Sequence, residues 1–203
     1  NLLSQICHEL AMDSRDGLLF HAGGLCYHGH GLLLPGGIGQ GKSTFTAWMI
    51  TLGCDYLSDE LVYFPWESNT MIPFARPLHL KKPSRPVLQH LIDFNTPANK
   101  ILATGYSDLV HPTLLKADNL YCQPQAKVVL FPHYQVGSEL LWQPLSVGQT
   151  GLELLQCLIN ARNLPEHGFA ETARLARDVR GISFTYSHFE QIAPRIVELL
   201  QSL

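Results

Sequence analysis

The chain has 203 residues, 46% hydrophobic and 15% charged, which excludes a disordered polypeptide and supplies a full core for one domain over 1–203. Its net charge of −3 lacks the basic footprint that counterion release requires, so no nucleic acid partner is expected. No apolar run approaches the roughly 20 residues of a spanning helix. The N-terminus shows no basic region followed by an apolar stretch. Five cysteines without C-x-x-C spacing fit neither a disulfide framework nor a zinc ribbon, so no membrane partner and a reducing, cytoplasmic setting are expected.

In chain order, Leu18–His21 and Leu25–His28 are short apolar stretches around Gly23-Gly24 and read as a hairpin, because Gly-Gly supplies the positive φ of a tight turn. Leu32–Pro35 reads as a buried strand running into Gly36-Gly37. Phe45, Trp48, Met49 and Leu52 recur at the helical period, which predicts an amphipathic helix over Ser43–Leu52 stopped by Gly53. Tyr56–Phe64 reads as one strand interrupted by Asp59-Glu60, and Met71–Leu80 as an edge or bent strand cut by Pro73 and Pro77. From Lys81 to Gln125 the prolines predict a surface excursion that contacts substrate, with a short helix at Val87–Ile92. Lys127–Phe131, Leu140–Leu145 and Ile182–Tyr186 read as strands; Gly151–Ala161, Glu171–Val179 and Glu190–Leu203 read as helices with one apolar face each. Strands interleaved with helices give an α/β class with a mixed sheet and flanking helices.

One motif carries chemistry. Gly36-Gly37-Ile38-Gly39-Gln40-Gly41-Lys42-Ser43 matches G-x-x-x-x-G-K-[ST] between an apolar strand and a helix. The glycines let successive N–H groups curl toward phosphate oxygens, and the helix N-terminus adds its dipole. Lys42 is expected to reach the β and γ phosphates, Ser43 to ligate Mg²⁺, and Thr44 to complete a site for ATP. Asp59-Glu60 is the candidate metal-binding and proton-accepting pair. Adjacent residues on a regular strand point to opposite faces, so only a bulge or turn presents both acids to the phosphates. His21 is expected at a strand end, against the γ-phosphate or the acids, while His28 and His30 flank Gly29 in a turn and are structural.

These features in register resemble the HPr kinase/phosphorylase catalytic domain family and its kinase-related branch, which share a fold with phosphoenolpyruvate carboxykinase. The resemblance rests on His21 before a small residue and glycine, Gly36–Ser43, and Asp59-Glu60. It continues more loosely through Arg76-Pro77-Leu78, Leu80-Lys81 and Val128–Pro132. It implies a P-loop α/β kinase using ATP and Mg²⁺ and phosphorylating a serine of a peptide or small protein. By position Glu60 is the proton-accepting acid, where the bifunctional enzymes have Asp; Asp59 shares that task or holds the metal, with His21 assisting. Arg76 and Lys81 are candidate phosphate contacts. The Glu-Ile-Arg-Gly segment of the bifunctional enzymes is absent, so neither phosphorylase activity nor HPr as substrate is implied. Two alternatives stay open: a non-catalytic ATP-binding regulatory module, and a kinase for a small molecule such as free serine. Family members form rings, and the thin polar face of Glu190–Leu203 adds an expectation of a homo-oligomer.

Overall fold

A computed structural model describes residues 9, 13–37, 39–74, 76–96, 100–118 and 121–203. The long strand β1 (Gly17–Tyr27) turns at His28-Gly29 into β2 (His30–Pro35). His28 and Gly29 carry φ of 49° and 83°, the two positive values that a type I′ turn demands. The hairpin expected at Gly23-Gly24 is therefore absent, and both glycines lie inside β1 for a packing reason. A Cβ at Gly23 would stand 2.8 Å from Thr46 Oγ1, and one at Gly24 would stand 3.0 Å from Val62 Cγ2.

After β2 the chain forms α1 (Lys42–Thr51), β3 (Asp55–Ser58), β4 (Leu61–Pro65), β5 (Ile72–Pro73) and β6 (Leu78–Lys81). A helical turn, α2 (Arg85–Leu88), leads to β7 (Ile101–Ala103) and β8 (Ser107–Val110). The rest is β9 (Gln125–Tyr134), β10 (Leu141–Pro144), α3 (Val147–Gln156), α4 (Phe169–Asp178), β11 (Arg180–Tyr186) and α5 (Phe189–Gln201). The main sheet runs β10-β11-β9-β2-β1-β4-β5, with β3 also paired to β1. β2, β9 and β11 are parallel to one another; every other pairing in this sheet is antiparallel, so it is mixed.

Alternation along the strands feeds two cores. Leu32, Leu34, Val128, Leu130, Ile182 and Phe184 face one side, where they meet α1 and α5. Leu18, Phe20, Leu33, Val129 and Phe131 face the other, under α3 and α4. Helix α1 is not the amphipathic surface helix of the sequence pattern: Phe45–Ile50 are all buried, because β6 and α5 cover the face turned away from the sheet.

The single strand expected over Tyr56–Phe64 is two strands lying end to end along β1. Ser58 Oγ donates to the Leu61 carbonyl at 2.6 Å and accepts the Leu61 N–H at 3.2 Å, closing a bend at Asp59-Glu60. The Lys81–Gln125 excursion also differs from its reading. With β6 it builds a three-stranded antiparallel sheet, β6-β8-β7, whose Leu78, Leu80, Ile101 and Val110 join the α1 core. Its helical turn begins at Arg85, ahead of the expected Val87.

Helix α3 stops at Gln156, short of the expected Ala161, because the next residues pair with β1 instead. His21 N–H donates to the Cys157 carbonyl at 2.8 Å, and Ile159 N–H to the Leu19 carbonyl at 2.9 Å. On α5, Ile192, Ile196, Leu199 and Leu200 are buried in the chain's own core. Among the described residues no helix is long and apolar enough to cross a membrane.

Candidate active site

Strand β2 delivers the chain at Pro35 into the glycine loop, and α1 leaves it at Lys42. Gly39 and Gly41 adopt φ of 91° and 85°, left-handed values that L side chains rarely tolerate. Gly41 also serves as the helix N-cap and offers no side chain to the first N–H groups of α1, which stay available to an anion. The Gln40 carboxamide oxygen accepts the Gly37 N–H at 2.6 Å. Ile38 lies outside the described residues.

Five expected residues meet in one cavity of about 480 Å³: His21, Lys42, Ser43, Asp59 and Glu60. Gly37, Gly39, Gly41 and Thr44 line it as well, while Gly36 and Gln40 line a second cavity behind the loop. Lys42 Nζ stands 2.9 Å from His21 Nε2. His21 is not at a strand end: it sits within β1, opposite Leu61, where β1 passes from pairing with β4 toward pairing with β3. Burial pulls the Lys42 ammonium pKa down, and the Asp59 carboxylate opposes that pull.

The bend between β3 and β4 brings both acids to the cavity, in unequal surroundings. Asp59 is buried; burial pushes its pKa up to about 6, against the pull of Lys42 and of hydrogen bonds from the His79 N–H and the Ser43 hydroxyl. The His79 N–H donates to Asp59 Oδ2 at 3.1 Å, while Oδ1 is buried without a hydrogen-bond partner among the described residues. Glu60 is half-exposed and forms an ion pair with Arg76.

Those observations test the site for a divalent cation. Among the described residues no group of three or more His, Cys, Asp or Glu could hold a metal. An orphaned carboxylate oxygen beside a serine hydroxyl fits instead the sparse coordination Mg²⁺ takes when phosphates and water complete its shell.

Of the remaining walls, Arg76 and Lys81 were expected as candidate phosphate contacts, and the others were not legible as site residues. Arg76 and Pro77 precede β6, His79 and Lys81 lie on it, and Pro83, Ser84 and Val87 come from the turn after it. Thr44 Oγ1 donates to Ser84 Oγ at 2.9 Å and ties that turn to α1. Tyr134 and Tyr186 are register partners at the C-terminal ends of the parallel strands β9 and β11, with rings 5.7 Å apart. Phe189 follows at the start of α5, stacked on Trp48. The signal available was positional, since ligands gather outside the carboxyl ends of parallel strands, where β2 also ends.

No protein-family model matches the chain, and no curated protein matches it. Among solved structures, the Hpr(Ser) kinase/phosphatase from Coxiella burnetii is similar, with 14% identity, a TM-score of 0.42, and coverage of 91% of this chain and 93% of that one.

Proposed function

We propose that this protein is an ATP- and Mg²⁺-dependent kinase that transfers the γ-phosphoryl group to a hydroxyl, a serine of a peptide or small protein. The observation that carries the reading is the convergence of the loop lysine, a buried carboxylate with an unpartnered oxygen, a histidine and a second carboxylate on one cavity. The loop N–H groups and Lys42 bind the phosphates, and Lys42 offsets charge on the transferring group. Tyr134, Val87 and Phe189 form an apolar wall for the nucleoside. Ser43 and Asp59 hold Mg²⁺, which supplies neutralisation of phosphate charge when bound. Glu60, more exposed than Asp59 and oriented by Arg76, takes the proton of the acceptor hydroxyl. His21 fixes the Lys42 ammonium at 2.9 Å.

The test is phosphoryl transfer from MgATP to serine peptides, read by intact mass, for wild type and Glu60→Gln. The variant keeps size and hydrogen bonding without the base, so MgATP affinity should hold while transfer falls by roughly 10²–10⁴. Transfer at the wild-type rate would remove Glu60 from that role. Binding of MgATP with no transfer to any hydroxyl would favour a nucleotide-binding module over a kinase.

A further inference from the structure

A second cavity of about 640 Å³ lies on the far side of the glycine loop, between the end of β9 and the last turn of α3. It shares His21, Gly37 and Glu60 with the first cavity, so these residues form the partition between the two. A phosphoryl group held at the loop would meet an acceptor approaching from the second side at that partition.

The two cavities differ in charge. The first is lined by Lys42, Arg76 and Lys81 as well as by Asp59 and Glu60, and it carries the loop N–H groups. The second is lined by two carboxylates, Glu60 and Glu153, and by no lysine or arginine. Glu153 stands on α3, half-exposed, and makes no ion pair among the described residues. A triphosphate suits the first cavity and is repelled by the second. A hydroxyl carried beside a positive charge suits the second, because Glu153 provides an uncommitted anion in a partly water-excluded cleft.

Resting on the kinase reading above, we infer that the second cavity is the acceptor site and that the acceptor carries an ammonium or guanidinium group which Glu153 binds. The acceptor oxygen bonds to the γ-phosphorus as the bond from that phosphorus to the β–γ bridging oxygen breaks. The hydroxyl proton passes to Glu60, and the electron pair of the broken bond stays on ADP. The same chemistry is offered by a free amino alcohol and by a serine next to lysine or arginine on a peptide.

The experiment offers the intact chain MgATP with equimolar serine peptides that differ only in an arginine, alanine or glutamate beside the serine, and separately with serinamide. Product ratios are read by mass, so partial loss of folded protein does not alter them. Wild type should favour the arginine peptide over the glutamate peptide by about tenfold or more, the scale of one charge-assisted contact. Glu153→Lys should invert that order, and Glu153→Gln should flatten it. Phosphorylated serinamide would identify a small amino alcohol as sufficient; transfer to the arginine peptide alone would identify a peptide acceptor. Equal use of the three peptides, an order that Glu153→Lys leaves unchanged, or Lys42-dependent MgATP binding with no transfer to any cationic acceptor overturns the inference and leaves the nucleotide site standing. Failure to bind MgATP overturns the kinase reading itself.

Discussion

Asp59 shows what a buried carboxylate does to the protein that holds it. Its folded pKa of about 6 exceeds the unfolded value of about 3.9, so between those values the folded chain binds more protons than the unfolded one. Stability contributed by this group therefore falls as pH rises through that window, and the deficit is complete above about pH 6. At ~1.4 kcal/mol for each pH unit the upper bound is about 3 kcal/mol, a figure already net of the Lys42 attraction. With a chelator present, Asp59→Asn should melt above wild type at pH 8, and the gap should close by about pH 4. A variant that melts below wild type at pH 8 would mean that the ionised carboxylate stabilises the metal-free chain. In the presence of Mg²⁺ and ATP the order should reverse, since only the ionised side chain ligates the cation.

At the scale of elements, β1 is held by what crosses it. Gly23 lets α1 approach so closely that an added Cβ would meet Thr46 Oγ1 at 2.8 Å. Gly23→Ala should cost about 1–3 kcal/mol by overpacking, measured by urea denaturation. Gly23→Ala combined with Thr46→Ala should recover most of that loss, since the second change deletes the colliding oxygen. Additive losses in the double variant would place the cause elsewhere. The same contact explains why the sequence misled here. Gly-Gly between apolar stretches carries a local turn signal, whereas its cause in this chain lies 23 residues downstream, at Thr46. The glycine loop and the two acids were legible because their chemistry is written in adjacent residues. Arg76 was expected as a phosphate contact through the family resemblance, but His79, Tyr134 and Tyr186 were not read as partners of that chemistry, because long-range pairings bring them there: β6 across α1, and β9 and β11 in parallel; nor was Glu153 on α3. The ends of α3 and of the strand through Asp59-Glu60 were misread for a related reason, since backbone groups found partners in β1 and in Ser58.

Across the whole molecule, the cavity over the glycine loop is a joint between the main sheet, α1 and the small sheet β6-β8-β7. One buried anion clamps the small sheet to the turn that lines the cavity. Asp108 is buried on β8 and accepts Arg85 Nε at 2.7 Å and Lys82 Nζ at 2.6 Å. Arg85, helped by Lys82 and opposed by burial, holds its carboxyl below the usual carboxylate range. The stabilisation from this clamp is thus present above the unfolded pKa of about 3.9 and is lost as pH falls through the lower folded value. Asp108→Asn should lower Tm by roughly 2–6 °C at pH 7, with a shrinking difference in strong acid. It should also weaken nucleotide binding, because Lys81, Pro83 and Val87 lose their fixed position on the cavity wall. Unchanged Tm would show that the clamp contributes nothing net.

On the proposed reading, the glycine loop and its lysine form a MgATP site. Calorimetric titration of wild type and Lys42→Ala with ATP, with and without Mg²⁺, tests it most directly. Wild type should bind, more tightly with Mg²⁺, and Lys42→Ala should lose about ten- to hundredfold in affinity, the scale of a charge-assisted phosphate contact. Equal affinities in the two proteins, or no binding by wild type, would contradict the account.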